Sequence, residues 1–324
     1  MGIIQYVLHA TNFRSPLLRT VVPSITAAFA LQTAVAIPSI ALQSSRLYDV
    51  SSSATFLTCT LLSLYLPSLR IRDAVIGAGL PKPAFPSLLE ALPKGTGPLN
   101  WRQVALSAAV VLYSVRLGSH LFSRRLKSSH DSHFDEIKKS PVKFASAWFG
   151  QATWVSLCLM PVLAVNAVPA IAFPSGVVAS DILGLALFAG GFACEVVADR
   201  QKSKWLDEKT NAQHDKEFLS KGLWSRSQFP NYFGEITLWT GIATTAAGVL
   251  LSRHGQLGLG FSGGAASKLA TMGLCYISPA LVSFLLLKVT GVPLSEEKCD
   301  ARYGDRKDYQ EWKTNTPKFF PRIF

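Results

Sequence analysis

The sequence predicts an all-α, polytopic helical membrane protein with about seven transmembrane helices. Of its 324 residues, only 16% are charged and 49% are hydrophobic, and the mean hydropathy is +0.27. A soluble domain has about a quarter of its residues charged, and a disordered chain needs low hydrophobicity with high net charge. The composition therefore excludes both of these classes.

Seven stretches are apolar enough and long enough for a membrane-spanning helix, which needs about 20 such residues. They lie at residues 20–45, 50–69, 101–122, 144–165, 181–197, 232–251 and 269–287. The uncharged stretch 144–180 is too long for one span and contains several prolines, so we expect a short loop before the fifth helix. Asp181 is expected to cap the start of that fifth helix.

The basic residues predict which loops face inward, because Lys and Arg concentrate on the cytoplasmic side of a membrane. With the C-terminus placed inside, the inner segments are 43–49, 123–143, 198–231 and 288–324, and they hold 22 of the 32 Lys and Arg residues. The net charge of +12 is therefore concentrated on one side. This bias fits a polyanionic cofactor, and anionic lipid headgroups would produce it as well. No nucleic-acid partner is expected.

The chain is predicted to divide at residue 99. Residues 1–99 form an N-terminal membrane segment with two spans and a Pro-rich connector from residue 70 onward, and residues 100–324 form the second part. Residues 1–48 contain no Asp or Glu and three Arg, a composition that resembles a mitochondrial transit segment. A short polar lead before the first span is the favoured explanation, because Arg is sparse there, and the endoplasmic reticulum is favoured over the mitochondrial membrane.

Several motif matches do not predict chemistry. The five cysteines include no C-x-x-C pair, which argues against a disulfide framework or a zinc site. Gly258–Gly263 reads as G-x-G-x-x-G, but it lies between two predicted membrane helices and lacks the strand that a dinucleotide fingerprint requires. His130 and His133 are too isolated to predict a metal, so no metal site is expected.

Ionisable residues at the edge of a membrane are costly and are therefore candidates for function. Glu195, Asp199 and Lys202 are spaced four and three residues apart near the end of the fifth span, which puts them on one helix face. They could hold the polar groups of a ligand. Alternatively, the helix simply emerges into water there with an ion pair between Asp199 and Lys202.

A second group surrounds the start of the sixth span. Pro230 suits the first turn of a helix, and Asn231 and Glu235 share a face of it four residues apart. The N-terminus of a helix attracts anions, and Arg226 just before it offers a planar fork for phosphate. An interfacial belt of aromatic and basic anchors would explain Trp224 and Arg226, but it leaves Asn231 and Glu235 unexplained.

A third group lies along one stripe of the third span. Its members, separated by three or four residues, are Tyr113, Arg116, His120 and Arg124. Arg116 lies about 9 Å from the predicted helix end at Phe122, at 1.5 Å of rise per residue. It could therefore extend to the interface or contribute to a site.

Three consecutive motifs resemble the steroid 5α-reductase superfamily. They are Glu195-Val-Val-Ala-Asp199-Arg-Gln201-Lys202, Gly222-Leu-Trp-Ser-Arg226 and Pro230-Asn231-Tyr232-Phe-Gly-Glu235. The resemblance continues in Arg116–Phe122, Gln151–Trp154, Ser278-Pro279, Glu296-Glu297, Tyr303-Gly304, Tyr309 and Thr316-Pro317. It covers roughly residues 100–320 and is nearest to the uncharacterised membrane branch with a steroid 5α-reductase-like C-terminal domain. Gln228-Phe229 departs from the usual Arg-His of this branch, which removes one phosphate contact.

The resemblance implies a helical membrane fold whose C-terminal half encloses NADPH, with NADH as the alternative cofactor. The implied cofactor contacts are Glu195, Asp199, Asn231, Tyr232, Glu235 and, closing over the cofactor from the tail, Tyr303. We add Lys202 and Arg226 as groups that could hold its phosphates. The catalytic Glu and Tyr that characterised reductases take from N-terminal helices have no match here, so no catalytic residue is predicted.

The leading functional prediction is a membrane-embedded NAD(P)H-dependent reductase that acts on a carbon–carbon double bond of a lipid such as a sterol or an enone. Its partners would be the lipid bilayer and a hydrophobic small molecule. An S-adenosylmethionine-dependent membrane methyltransferase is the alternative, because such enzymes share a similar helix start and a tail like Glu296-Glu297…Tyr303. A non-catalytic membrane protein that keeps the fold is a third possibility.

Overall fold

The computed structural model describes residues 3–81, 83–88, 98–127, 137–211 and 217–322. Throughout these ranges the regular structure is helical and no strand occurs. The helices are α1 (Ile3–Ala10), α2 (Pro16–Ala41), α3 (Tyr48–Gly77), α4 (Trp101–Lys127), α5 (Pro141–Asn166), α6 (Ala179–Thr210), α7 (Pro230–Leu250), α8 (Arg253–Gly258), α9 (Ala265–Phe284), α10 (Val292–Tyr303) and α11 (Lys307–Asn315). A π-helical turn at Leu285–Val289 joins α9 to the segment before α10.

The protein is an all-α, multi-pass membrane protein. Six of the described helical stretches are long and apolar enough to cross a bilayer: Pro16–Ala41, Tyr48–Gly77, Trp101–Ser123, Pro141–Asn166, Ala179–Thr210 and Ala265–Tyr303. The remaining predicted span, 232–251, forms helix α7, which is less apolar than these six. Its side chains at Leu238, Trp239 and Ile242 are fully buried. A helix enclosed by protein does not need the apolar surface that lipid requires.

Helix α3 is longer than the sequence predicts, and the terminal nitrogens of Arg70 find partners within the protein. The guanidinium of Arg70 donates to the backbone carbonyls of Leu8 (2.7 Å), Thr11 (3.0 Å) and Arg19 (3.0 Å). These acceptors include carbonyls at the end of α1, which lack partners within that helix. The helix continues to Gly77, through the residues that were expected to begin the connector.

The chain forms two compact units. Unit 1 comprises Met1–Asp181 and Thr244–Ile277, and unit 2 comprises Ile182–Ala243 and Ser278–Phe324. These units follow contacts in space, and the predicted boundary at residue 99 stays a prediction. The third predicted group lies in unit 1, where Tyr113 is buried and packs edge-on against Phe56. The other two groups lie in unit 2. The side chain of Arg124, like His130 and His133, lies outside the part of the chain that is described.

Unit 1 joins its helices through buried polar side chains. Gln32 of α2 donates to the Thr55 hydroxyl of α3 at 2.8 Å. Asn166, at the end of α5, donates to the Ser63 hydroxyl of α3 at 2.9 Å. Hydrogen bonds of this kind hold membrane helices together where the hydrophobic effect between helices is weak.

A buried ion pair in unit 1 connects the start of α4 to the start of α6. Arg102 and Asp181 are both almost fully buried, and their closest nitrogen–oxygen distance is 2.7 Å. Arg102 also donates to the carbonyls of Pro174 (2.9 Å) and Gly176 (2.6 Å). Asp181 accepts the backbone N–H of Val178 at 2.9 Å, as a residue at a helix start can. Its role is therefore wider than the predicted cap, since it neutralises a buried arginine.

Candidate functional site

Helices α6 and α7 approach each other closely along a line of glycines in unit 2. A Cβ atom added at Gly191 would lie 2.5 Å from the backbone nitrogen of Leu238 and 2.6 Å from the carbonyl oxygen of Gly234. A Cβ added at Gly234 would lie 2.6 Å from the backbone nitrogen of Glu195. Only residues without a side chain permit this separation. The packing therefore brings the helix that carries Glu195 against the helix that begins at Pro230.

Helix α6 does not end where the sequence suggested. It was expected to stop near residue 197, but it continues to Thr210, because residues 198–210 contain no Gly or Pro. Glu195, Asp199 and Lys202 consequently lie within the helix and not at its emerging end. Glu195 is buried, whereas Asp199 is half-buried.

The segment that precedes α7 is fixed to α6. The side-chain oxygen of Gln201 accepts the backbone N–H of Leu223 at 2.9 Å, and the indole N–H of Trp224 donates to the carbonyl of Ala198 at 3.1 Å. Gly222 has a φ of +64° and leaves no room for a Cβ beside Gln201. Trp224 is therefore a buried residue whose indole N–H bonds within the protein, and an interfacial belt at this segment stays an alternative.

The C-terminal helices form an aromatic cluster with Phe218. The ring centroid of Phe218 lies 6.1 Å from that of Tyr303, 5.3 Å from Tyr309 and 5.6 Å from Trp312. The Tyr309 hydroxyl donates to the carboxylate of Asp300 at 2.8 Å. Burial, followed by this hydrogen bond, raises the pKa of Tyr309, so its hydroxyl stays protonated and remains a donor.

A cavity of about 170 Å³ lies within unit 2 between these elements. Most of its wall is aromatic, contributed by Trp205, Phe218, Trp224, Phe229, Tyr232, Tyr303, Tyr309 and Trp312. Its polar lining consists of Lys202, Gln228, Asn231, Ser295, Glu296 and Cys299. Concave, largely apolar sites with a few polar groups are the usual form of small-molecule sites, so we treat this cavity as the candidate site.

The polar groups of the cavity differ in the partners that they have within the protein. The Oδ1 atom of Asn231 is buried and accepts no hydrogen bond from any described residue. The hydroxyl of Tyr232 lies 3.3 Å from that of Ser295. The ammonium of Lys202 lies 5.3 Å from the ring centroid of Trp224, within the range of a cation–π contact. The cavity therefore offers an amide acceptor, a positive charge and flat aromatic surfaces.

Four of the eight predicted contact residues line the cavity, and four do not. Those that line it are Lys202, Asn231, Tyr232 and Tyr303. Glu195, Asp199 and Glu235 lie on helices α6 and α7 of the same unit but are not part of the lining. Arg226 is exposed and also outside the lining, and its backbone carbonyl accepts the N–H of Arg322. The role of Arg226 at a cofactor phosphate stays a prediction.

Sequence reasoning missed three of the eight aromatic residues in the cavity wall. Trp205, Phe218 and Trp312 belong to no recognised motif, whereas Tyr309 matched one tail position. One signal was present: three aromatic residues fall within residues 303–312 of a tail that is otherwise strongly charged. Aromatic side chains in a polar helix indicate a buried face, and that face is the cavity wall.

Comparison with known proteins assigns most of the chain to one family. Residues 81–316 match the family described as "Protein of unknown function (DUF1295)". No curated protein and no solved structure matches the chain. The matched range includes all of the residues that line the cavity and more than half of the sequence. The protein therefore belongs to the DUF1295 family.

Proposed function

We propose that the protein is a membrane-embedded NAD(P)H-dependent reductase that acts on a carbon–carbon double bond of a hydrophobic molecule, such as a sterol or an enone. The chain belongs to the DUF1295 family. The proposal adds to this the resemblance of its motifs to the steroid 5α-reductase superfamily. It is supported by the convergence of three separate motif stretches on one cavity. These stretches contribute Lys202, then Asn231 with Tyr232, and finally Tyr303.

The unsatisfied acceptor of Asn231 carries the proposal. A buried acceptor without a donor costs about 1–3 kcal/mol, so its presence beside a cavity favours a ligand that brings an N–H group. The carboxamide of nicotinamide is such a group, and aromatic walls suit its flat ring. Lys202 supplies positive charge for a phosphate. A cavity of about 170 Å³ is matched to one ring-sized group, so we assign it one end of the cofactor.

The residues of the chain would bind and orient the cofactor and the substrate, and they would exclude water. NADPH, when bound, supplies the hydride. The aromatic cluster around Phe218 removes water from one side of the cavity. The hydroxyl pair of Tyr232 and Ser295 provides a further donor to a polar edge of the ligand. A hydrophobic substrate is consistent with a protein that has six apolar, membrane-spanning helices among its described residues, because such a molecule dissolves in the bilayer.

A membrane methyltransferase is the second candidate, because one observation favours it. Glu296 and Tyr303 of its tail motif both line the cavity, and aromatic walls also attract a sulfonium cation. Two observations favour the reductase instead. Lys202 places a positive charge at the cavity, and Glu296 is paired with Lys318 at 2.8 Å.

Calorimetry of the detergent-solubilised protein with NADPH and with S-adenosylmethionine tests the proposal. We expect NADPH to bind more tightly, and we expect Asn231→Ala to weaken its binding by about tenfold to a hundredfold, because a buried hydrogen bond is lost. Ser225→Ala is the control, since Ser225 is exposed and outside the cavity. Tight binding of S-adenosylmethionine with no signal from NADPH or NADH would exclude the reductase.

A further inference from the structure

The C-terminal tail, residues 304–322, is attached to the short segment 226–228 that leads into α7. The backbone N–H of Gln228 donates to the carbonyl of Pro317 at 3.0 Å, and that of Arg322 donates to the carbonyl of Arg226 at 2.9 Å. The Ser227 hydroxyl donates to the carbonyl of Phe319 at 2.9 Å. Three consecutive residues thus hold the tail along its length.

The side chain of Gln228 completes the end of helix α11. Its amide nitrogen donates to the carbonyls of Lys313 and Thr316, each at 2.8 Å. The last carbonyls of a helix lack partners within it. The carbonyl of Lys313 is a special case, because the residue four positions later is Pro317, which has no N–H to donate. The side chain of Gln228 supplies the donor that Pro317 lacks.

The position of α11 determines part of the cavity wall. Tyr309 and Trp312 project from this helix into the lining, and the indole N–H of Trp312 donates to the carbonyl of Trp224 at 3.0 Å. Gln228 is itself buried and lies in the lining. Any movement of the end of α11 would therefore change the shape of the cavity directly.

We propose that Gln228 is a positioning residue for the cavity, which holds Tyr309 and Trp312 in the wall by fixing the end of α11 and the tail. Its importance lies in its two N–H donors and not in a contact with phosphate. The proposal deepens the proposed function and rests on it only for the ligand measurement, because the attachment of the tail can be measured without any ligand.

Two variants of the full-length protein in detergent remove the donors. Gln228→Glu keeps the size of the side chain but places a carboxylate against two carbonyls, and Gln228→Met removes the donors without adding charge. Gln201→Glu is the matched control, because Gln201 uses its side-chain oxygen as an acceptor and Glu retains that oxygen. Amide hydrogen exchange of residues 304–322 and the affinity for NADPH are measured for each at equal folded fraction.

We expect both Gln228 variants to speed exchange in the tail by about tenfold or more, since buried acceptors lose their donors. Exchange along α6 and α7 should stay at the parent rate, and the Gln201 control should match the parent in the tail. NADPH affinity should fall by about tenfold. By reciprocity, NADPH should slow tail exchange in the parent, which a purely structural bond would not cause.

Parent-like tail exchange in Gln228→Met would overturn the proposal. So would unchanged NADPH affinity in a variant whose tail exchanges faster. If the parent binds no NADPH, the proposed function fails, and exchange at residues 309–312 alone decides the positioning role: faster exchange supports it and unchanged exchange refutes it. If Gln228→Glu does not fold, the neutral Gln228→Met variant gives the result.

Discussion

The two compact units use their polar groups in different ways. In unit 1, buried polar side chains bond to one another across helices, as in the Gln32–Thr55 hydrogen bond and the Arg102–Asp181 ion pair. In unit 2, glycines bring α6 and α7 together, and the polar groups of Lys202 and Asn231 line a cavity. The Oδ1 atom of Asn231 is buried there, whereas Lys202 is exposed.

This difference predicts that the two units respond differently to mutation. Polar atoms that are paired inside a membrane protein stabilise one arrangement of helices. The Oδ1 atom of Asn231, which accepts no hydrogen bond from any described residue, is available to a ligand that enters the cavity. Unit 1 is therefore expected to respond to mutation through stability, and unit 2 through ligand binding as well.

Breaking the buried ion pair in unit 1 should have the largest effect. Asp181→Ala leaves the guanidinium of Arg102 buried without its carboxylate, and the loss of one partner of such a pair costs about 3–5 kcal/mol. The free energy of unfolding in detergent, from denaturant titration, measures the loss.

The double variant Arg102→Leu with Asp181→Leu separates charge from packing. It removes both charges and should recover a large part of the lost stability, because no charge is left buried alone. Recovery will be partial, since the carbonyls of Pro174 and Gly176 also lose their donor. A double variant as unstable as Asp181→Ala would mean that the ion pair is not the source of the effect.

The glycine contact in unit 2 provides the next largest effect. Gly191→Ala puts a methyl group within 2.5 Å of the Leu238 backbone nitrogen, which forces α6 and α7 apart. Overpacking of this kind costs about 1–3 kcal/mol, and NADPH binding should weaken too. Gly190→Ala is the matched control, because nothing lies within 4 Å of its added Cβ atom. Equal thermal stability of the two variants would show that the close approach is unimportant.

The partly exposed ion pair between Lys209 and Glu217, 2.8 Å apart, should have the smallest effect. The hydrogen bond and charge of Lys209 lower the pKa of Glu217. A carboxyl group whose pKa is lowered in the folded state stabilises the fold at pH values above its ordinary pKa. This stabilisation is lost as the pH falls through the pKa of the folded state. Glu217→Gln should therefore reduce the thermal midpoint slightly at pH 7 and leave it unchanged under strongly acidic conditions. A larger loss in acid than at pH 7 would contradict this sign.

The sequence predicts the membrane helices well, because a bilayer imposes a length and an apolar character that can be counted. Six of the seven predicted spans correspond to helices that are apolar enough to cross a membrane, and the other corresponds to α7. The ends were less predictable. Helix α3 extends through Arg70 and α6 extends to Thr210, since backbone carbonyls and neighbouring segments provide partners that a hydropathy count does not see.

The candidate site was predicted in part. Asn231 and Lys202 were singled out from their position at helix faces near the membrane edge, and both line the cavity. Arg226 was predicted from its planar, charged fork just before the start of a helix, and it lies at the surface outside the cavity lining. An interfacial belt was the alternative explanation of Trp224, whose indole N–H donates to a carbonyl within the protein. The type of a residue indicates what it can bind, whereas only its neighbours determine whether it faces a ligand.

Sequence by itself determined the class of this protein, namely an all-α, multi-pass membrane protein, and the stretch of chain in which its polar motifs lie. Those properties depend on composition and on spacing along the chain. Only the tertiary structure decided that Arg102 pairs with Asp181, 79 positions away, and that Gln228 completes the end of α11, 85 positions from Lys313. Pairings of this kind depend on distances in space, and those are set by the packing of whole helices, which no local pattern of residues records.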